Sequence, residues 1–126
     1  MKQLYKPSSM IPYGHQHIEK DVIDAVVQVL KSDFLTQGQM VPEFELAFSD
    51  YISAKYAIAT NSGTSALHIA CISLGLERGK SLWTTPISFV ASANCGLYCG
   101  ADIDFIDINN KTYNIDIDKL NIKLEQ

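Results

Sequence analysis

Ile18, Val22, Val26, Val27 and Leu30 recur at helical spacing, with Glu19, Lys20, Asp21 and Asp24 between them. This predicts an amphipathic helix ending near Lys31-Ser32. A connector over 33–40 leads to Pro42, which suits the first turn of a second helix with Phe44, Phe48, Tyr51 and Ile52 on one face. From Tyr56 the period changes, and short apolar runs alternate with helical stretches of about a dozen residues, the signature of successive β-α units on a parallel sheet. Strands are expected at 56–60, 81–84 and 103–108, with helices at about 64–76 and 88–98; Gly96 weakens the second of these helices. Residues 114–120 read as a turn entering a final helix whose apolar face continues through Leu120 and Leu124. That helix has no later element to receive it, so the chain reads as a beginning without its end. The fold class is α/β, with a helical segment over 1–54 and a β-α region over 55–126.

Composition narrows the function classes. The 126 residues are 47% hydrophobic and 19% charged, which is a globular balance with room for one modest core. A net charge of −4 and no cluster of Lys or Arg give no footprint for nucleic acid. No apolar segment follows the first residues and no long apolar run occurs, so neither a secretory signal nor a membrane span is expected and the cytoplasm is the default. Cys71, Cys95 and Cys99 make an odd count without a C-x-x-C pair, and read as reduced thiols.

The chemistry concentrates at two places. Asn61-Ser62-Gly63-Thr64-Ser65-Ala66-Leu67 follows the apolar run at 56–60 and opens a helical pattern. Uncapped N–H groups and the positive end of a helix dipole converge at such a terminus, and small residues admit a phosphate. The same residues read equally as an ordinary N-cap and turn. The second place is Thr84-Thr85-Pro86-Ile87-Ser88-Phe89, where a strand ends in a Pro turn and presents an aromatic at the carboxyl edge of the sheet, where α/β proteins bind ligands. Phe89 is either core or a ring placed to stack on a flat heterocycle. His15 and His17 lack companions at metal-ligand spacing, and no metal site is expected. His68, inside the third helix, reads as a structural or surface histidine. Asp102, Asp104, Asp107, Asp116 and Asp118 fit no calcium loop and read as solvated carboxylates.

These motifs, with Ile11-Pro12-Tyr13-Gly14, Leu35-Thr36-Gln37-Gly38, Phe44-Glu45 and Ala93-Asn94-Cys95-Gly96-Leu97-Tyr98-Cys99-Gly100-Ala101 before Asp104-Phe105-Ile106-Asp107-Ile108, resemble the pyridoxal-phosphate-dependent sugar aminotransferases of the DegT/DnrJ/StrS type. The likeness runs from about Ile11 to Leu120 and is greatest to the pseudaminic-acid branch. It implies a partial large domain of the aspartate-aminotransferase-like fold, called fold type I, over 55–126. It also implies that Gly63, Thr64 and Ser65 hold the phosphate of pyridoxal 5′-phosphate and that Phe89 lies against its ring. Tyr13, Asp33, Phe34, Leu35, Thr36 and Gly63 would contact the sugar nucleotide. The implied reaction passes an amino group from glutamate to carbon 4 of a UDP-linked 4-keto-6-deoxy sugar, in a homodimer.

The family's cofactor lysine stands in a Ser-Phe-His-x-x-Lys motif that does not occur here, and Lys55, Lys80, Lys111 and Lys119 match nothing of the kind. The chain is therefore expected to be an N-terminal fragment, inactive in isolation, with no catalytic residue of its own. The competing expectation is a small α/β module that binds a phosphorylated ligand or a protein without catalysis.

Overall fold

The computed structural model describes residue 10 and residues 12–125; Ile11, the first residue of one family motif, lies outside them. Two compact units emerge, one reaching Ala54 and the other starting at Lys55.

The first unit holds α1 (Lys20–Leu30) and α2 (Met40–Tyr51). Helix α2 begins two residues before Pro42, which still falls in the first turn, where the missing N–H costs no helical bond. Phe44 and Phe48 stack with ring centroids 5.8 Å apart. Gln37, at φ 57°, turns the connector between the helices.

The second unit runs α3 (Gly63–Ser73), β1 (Ser81–Thr84), α4 (Ala91–Tyr98), β2 (Asp102–Phe105) and α5 (Ile117–Leu124). Strands β1 and β2 are parallel, pairing Leu82 with Ile103, Trp83 with Asp104 and Thr84 with Phe105. The expected strand at 56–60 does not form. This segment joins no strand ladder among the described residues and remains irregular, because an apolar run becomes a strand only beside another edge. The third expected strand stops at Phe105; Ile108 instead makes an isolated antiparallel bridge to Ile115 across a tight turn with Tyr113 at φ 60°. Helix α3 ends before Leu76 because Gly75 turns left-handed at φ 73° and the Leu76 N–H folds back onto the Cys71 carbonyl, 3.0 Å away.

Alternation along the strands assigns their faces. On one face Leu82 and Ile103 meet α4 so closely that a Cβ added to Gly96 would stand 2.5 Å from Ile103 Cδ1 and 2.9 Å from Leu82 Cδ2. The glycine that weakened the helix in the sequence is what lets the helix touch the sheet. Helix α3 packs on the outside of α4, with His68 edge-on to Tyr98 at 5.3 Å and Cys71 against Cys95. Buried Cys71, Ala91, Cys95, Ala101 and Ile106 form the core. The opposite face carries Trp83 and Asp104, and it is here that α5 is tied down.

The final helix thus has a receiver after all. Asp116 caps it, accepting from the Asp118 and Lys119 N–H groups at 3.0 and 3.2 Å. Lys119 Nζ bonds Asp107 at 2.8 Å, and Lys123 Nζ bonds Asp104 and lies 5.2 Å from the centroid of the Trp83 ring. Of the carboxylates read as solvated, Asp104 and Asp107 are ion-paired and Asp116 is a cap.

Candidate functional site

The sequence 60–66 builds a turn whose hydroxyls are used internally. Ser62, extended at φ −163°, caps α3 by accepting from the Ser65 N–H at 3.1 Å. Ser65 Oγ donates to Asn61 Oδ1 at 2.7 Å and lies 3.0 Å from Ser62 Oγ, and Thr60 Oγ1 donates to the Ser62 carbonyl at 2.9 Å. The Gly63 and Thr64 N–H groups and the Thr64 hydroxyl carry no hydrogen bond among the described residues. Space beside Gly63 is open, with no atom within 4 Å of a Cβ built there. Two N–H groups without an intramolecular partner, the hydroxyl of half-buried Thr64 and the positive end of an 11-residue helix therefore meet beside the open space at Gly63. That set suits a dianionic oxygen cluster and offers no side-chain charge to discriminate against one.

A cavity of about 260 Å³ opens at the ends of the strands. Thr84 and Phe105, a register pair, form one wall, while Ser88, Phe89, Ser92 and Ala93 form another. Phe89 is 74% exposed, so it is a ring on display and not core. Ser88 and Ser92 share a hydrogen bond at 3.0 Å on the turn that enters α4. Gly63, Thr64 and Ser65 are not among the residues lining this cavity.

A larger cavity, about 760 Å³, lies in the first unit. Asp33 and Phe34 line it together with Gln28, Gln37, Gln39 and Met40. Leu35 and Thr36 are absent from its wall, and Tyr13 stands fully exposed away from it. Sequence reasoning missed the glutamines, since nothing in their spacing marks a pocket until the connector folds back on α1. It also missed Thr84, Ser88 and Ser92 as a lining, although the strand–Pro–helix pattern had marked the place.

The electrostatics set aside several candidates. His17 Nε2 lies 2.8 Å from Glu19 Oε1. Lys80 Nζ donates to the Gly75 carbonyl at 2.6 Å and pairs with Glu77, Lys119 is engaged by Asp107, and Lys55 sits over the Tyr56 ring. The Lys123 ammonium, followed by the Phe105 N–H, holds the Asp104 carboxyl below its ordinary value. Lys119 and the Ile108 N–H do the same for Asp107, whose carboxylate in turn raises Lys119. Burial, then the neighbouring Cys95 thiol, pushes Cys71 up to about 11, so it is no nucleophile at neutral pH.

Comparison with known proteins places this geometry. The model of the DegT/DnrJ/EryC1/StrS aminotransferase family matches residues 16–126. A UDP-4-amino-4,6-dideoxy-N-acetyl-beta-L-altrosamine transaminase of Campylobacter jejuni (serotype O:23/36, strain 81-176) is 48% identical over 115 residues, which are 91% of this chain and 30% of that protein. The Helicobacter pylori aminotransferase PseC, involved in pseudaminic acid biosynthesis, superposes with a TM-score of 0.82 at 36% identity, over 88% of this chain and 30% of its own. The PLP form of the sugar aminotransferase Spr1654 from Streptococcus pneumoniae gives 0.83 at 28% identity, over 87% and 28%. The chain thus spans about 30% of the length of the curated relatives it matches. Its fold is part of the sugar-aminotransferase fold.

Proposed function

Because the chain belongs to the DegT/DnrJ/EryC1/StrS aminotransferase family, we propose that it provides the cofactor-phosphate grip of a pyridoxal-phosphate-dependent transaminase. The enzyme would place an amino group, drawn from glutamate, on carbon 4 of a UDP-linked 4-keto-6-deoxy sugar. The observation that carries this reading is the pair of open N–H groups at Gly63 and Thr64 beside a free Thr64 hydroxyl, on a turn whose other hydroxyls are already engaged. A plain phosphoryl-binding module is disfavoured by a match that extends over 111 residues (16 through 126) and not over this turn alone.

Gly63, Thr64 and Ser65 would hold the phosphate, Ser65 through its place in the cap, and Phe89 would offer its exposed ring to the pyridine. When bound, pyridoxal phosphate supplies the electron sink that amino transfer requires. Tyr13, Asp33, Phe34, Leu35, Thr36 and Gly63 are the residues proposed to meet the sugar nucleotide, with the glutamine-lined cavity beside Asp33 and Phe34 as its place in the first unit. No lysine among these residues is assigned the covalent role, in keeping with a chain spanning a third or less of its relatives. A homodimer working in the cytoplasm completes the proposal; among the described residues no helix is long and apolar enough to cross a membrane.

The test compares pyridoxal 5′-phosphate with pyridoxal on the intact protein. Hydrogen bonds to a charged group contribute about 1.5–3 kcal/mol, so the phosphate should raise affinity roughly tenfold or more. Thr64→Val should remove about tenfold of that preference and leave pyridoxal affinity unchanged. Equal affinity of the wild-type protein for the two ligands would overturn the reading.

A further inference from the structure

Lys123 makes two contacts that no requirement of α5 itself explains. Its Nζ bonds the Asp104 carboxylate and lies 5.2 Å from the centroid of the Trp83 ring. Trp83 and Asp104 are direct partners in the parallel register, so one ammonium spans both strands at a single rung of the ladder. The next rung, Thr84 with Phe105, is the strand wall of the 260 Å³ cavity. Beyond it the ladder ends with the Ile106 N–H donating to the Thr84 carbonyl at 2.9 Å.

Lys123 is also the more enclosed partner, its side chain 23% exposed against 57% for Asp104. A second α5 ion pair, Lys119 with Asp107, lies beyond the strand end. Among the described residues β2 pairs with β1 alone, so a cross-strand tie at this rung acts close to where that pairing ends. A cation on an indole face and a charge-assisted hydrogen bond are both strengthened by partial exclusion of water.

We propose that Lys123 is a positioning residue that ties the Trp83–Asp104 rung and thereby fixes the Thr84 and Phe105 wall of the cavity. That the cavity receives the cofactor ring rests on the function proposed above; the tie itself does not.

The experiment uses Lys123→Met, which keeps the aliphatic stem, and Lys123→Arg, which keeps the charge, in the intact protein. The first readout is amide hydrogen exchange without ligand. Exchange at Ile106, whose N–H is held by the Thr84 carbonyl, should rise about fivefold in Lys123→Met, stay near wild type in Lys123→Arg, and be unaltered at Cys71 in the core of α3. The second readout is ligand affinity. Pyridoxal 5′-phosphate binding should weaken about fivefold in Lys123→Met while inorganic phosphate, which needs only the turn at Gly63, is held as before.

Unchanged exchange at Ile106 in Lys123→Met overturns the tie. Faster exchange there and at Cys71 alike also overturns it, because that is general loosening of the fold. A rung that loosens while both ligands bind as in wild type overturns the link to the cavity. A wild-type protein that ignores pyridoxal phosphate overturns the cofactor reading and the cavity role with it, while exchange still reports on the rung.

Discussion

At the scale of single residues, Gly96 and the serines of the α3 turn show opposite ways in which small side chains are used. Gly96 is small because two side chains already occupy the position of its Cβ. Gly96→Ala should destabilise the second unit by about 1–3 kcal/mol, measured as a lower denaturation midpoint, since the helix must lift from Leu82 and Ile103 or those side chains must leave their rotamers. Ser62 and Ser65 are small because each hydroxyl completes a turn hydrogen bond. The sequence made the turn legible as a capped helix start built from small residues, because Asn-Ser-Gly-Thr-Ser encodes both the cap and the small size. It could not divide the labour within the turn, because that depends on which hydroxyl already has an acceptor, and only the folded geometry decides this. Phe89 was ambiguous for a similar reason: apolar character is the same in a core and on a binding surface, and only exposure separates them.

Among the elements, α5 is the one whose attachment is mostly ionic. Its Ile117, Ile122 and Leu124 are exposed, while its lysines reach the sheet. Asp104 and Asp107 have folded pKa values below their ordinary ones, so the stability they contribute is present above the unfolded carboxylate range and is lost as pH falls through the folded values. The α5 amides should therefore exchange faster at acid pH than the α3–α4 amides do, relative to neutral conditions, and added salt should act in the same direction. A uniform change across the second unit would contradict this. Removing the cap by Asp116→Ala should cost about 1 kcal/mol, read as the same selective loss of α5 protection. Sequence periodicity located the helices from the spacing of Val22, Val26 and Leu30 or of Leu120 and Leu124. It did not anticipate the docking of α5, since an aspartate whose lysine partner lies 12 or 19 residues away looks solvated in sequence.

For the whole molecule, the strand expected at 81–84 formed there and the one expected at 103–108 formed over 102–105, because each contributes a partner to the other. The apolar run 56–60 did not form a strand, because hydrophobic character supplies a face to bury but no hydrogen-bonding edge. The core is correspondingly thin: among the described residues five hydrophobic residues are buried, and no large side chain is buried to below 2% exposure. Tyr51, Tyr56, Ile58, Leu74 and Phe89 are all more than 70% exposed. The 126 residues produced alone should therefore aggregate or unfold broadly, where a well-packed domain of this size unfolds in one cooperative step. Calorimetry of the isolated polypeptide checks this, and a sharp, reversible, concentration-independent transition would contradict it.

The contact between Cys71 and Cys95 gives the α3–α4 seam a built-in chemical clock. Both thiols are buried between the helices, and Cys71 is further suppressed by its raised pKa, while Cys99 at the end of α4 is only half-buried. An alkylating reagent at neutral pH should take Cys99 first and reach Cys71 and Cys95 only as fast as the two helices part. The rate at which the second and third labels arrive then counts the openings of the interface that supports the turn at the start of α3.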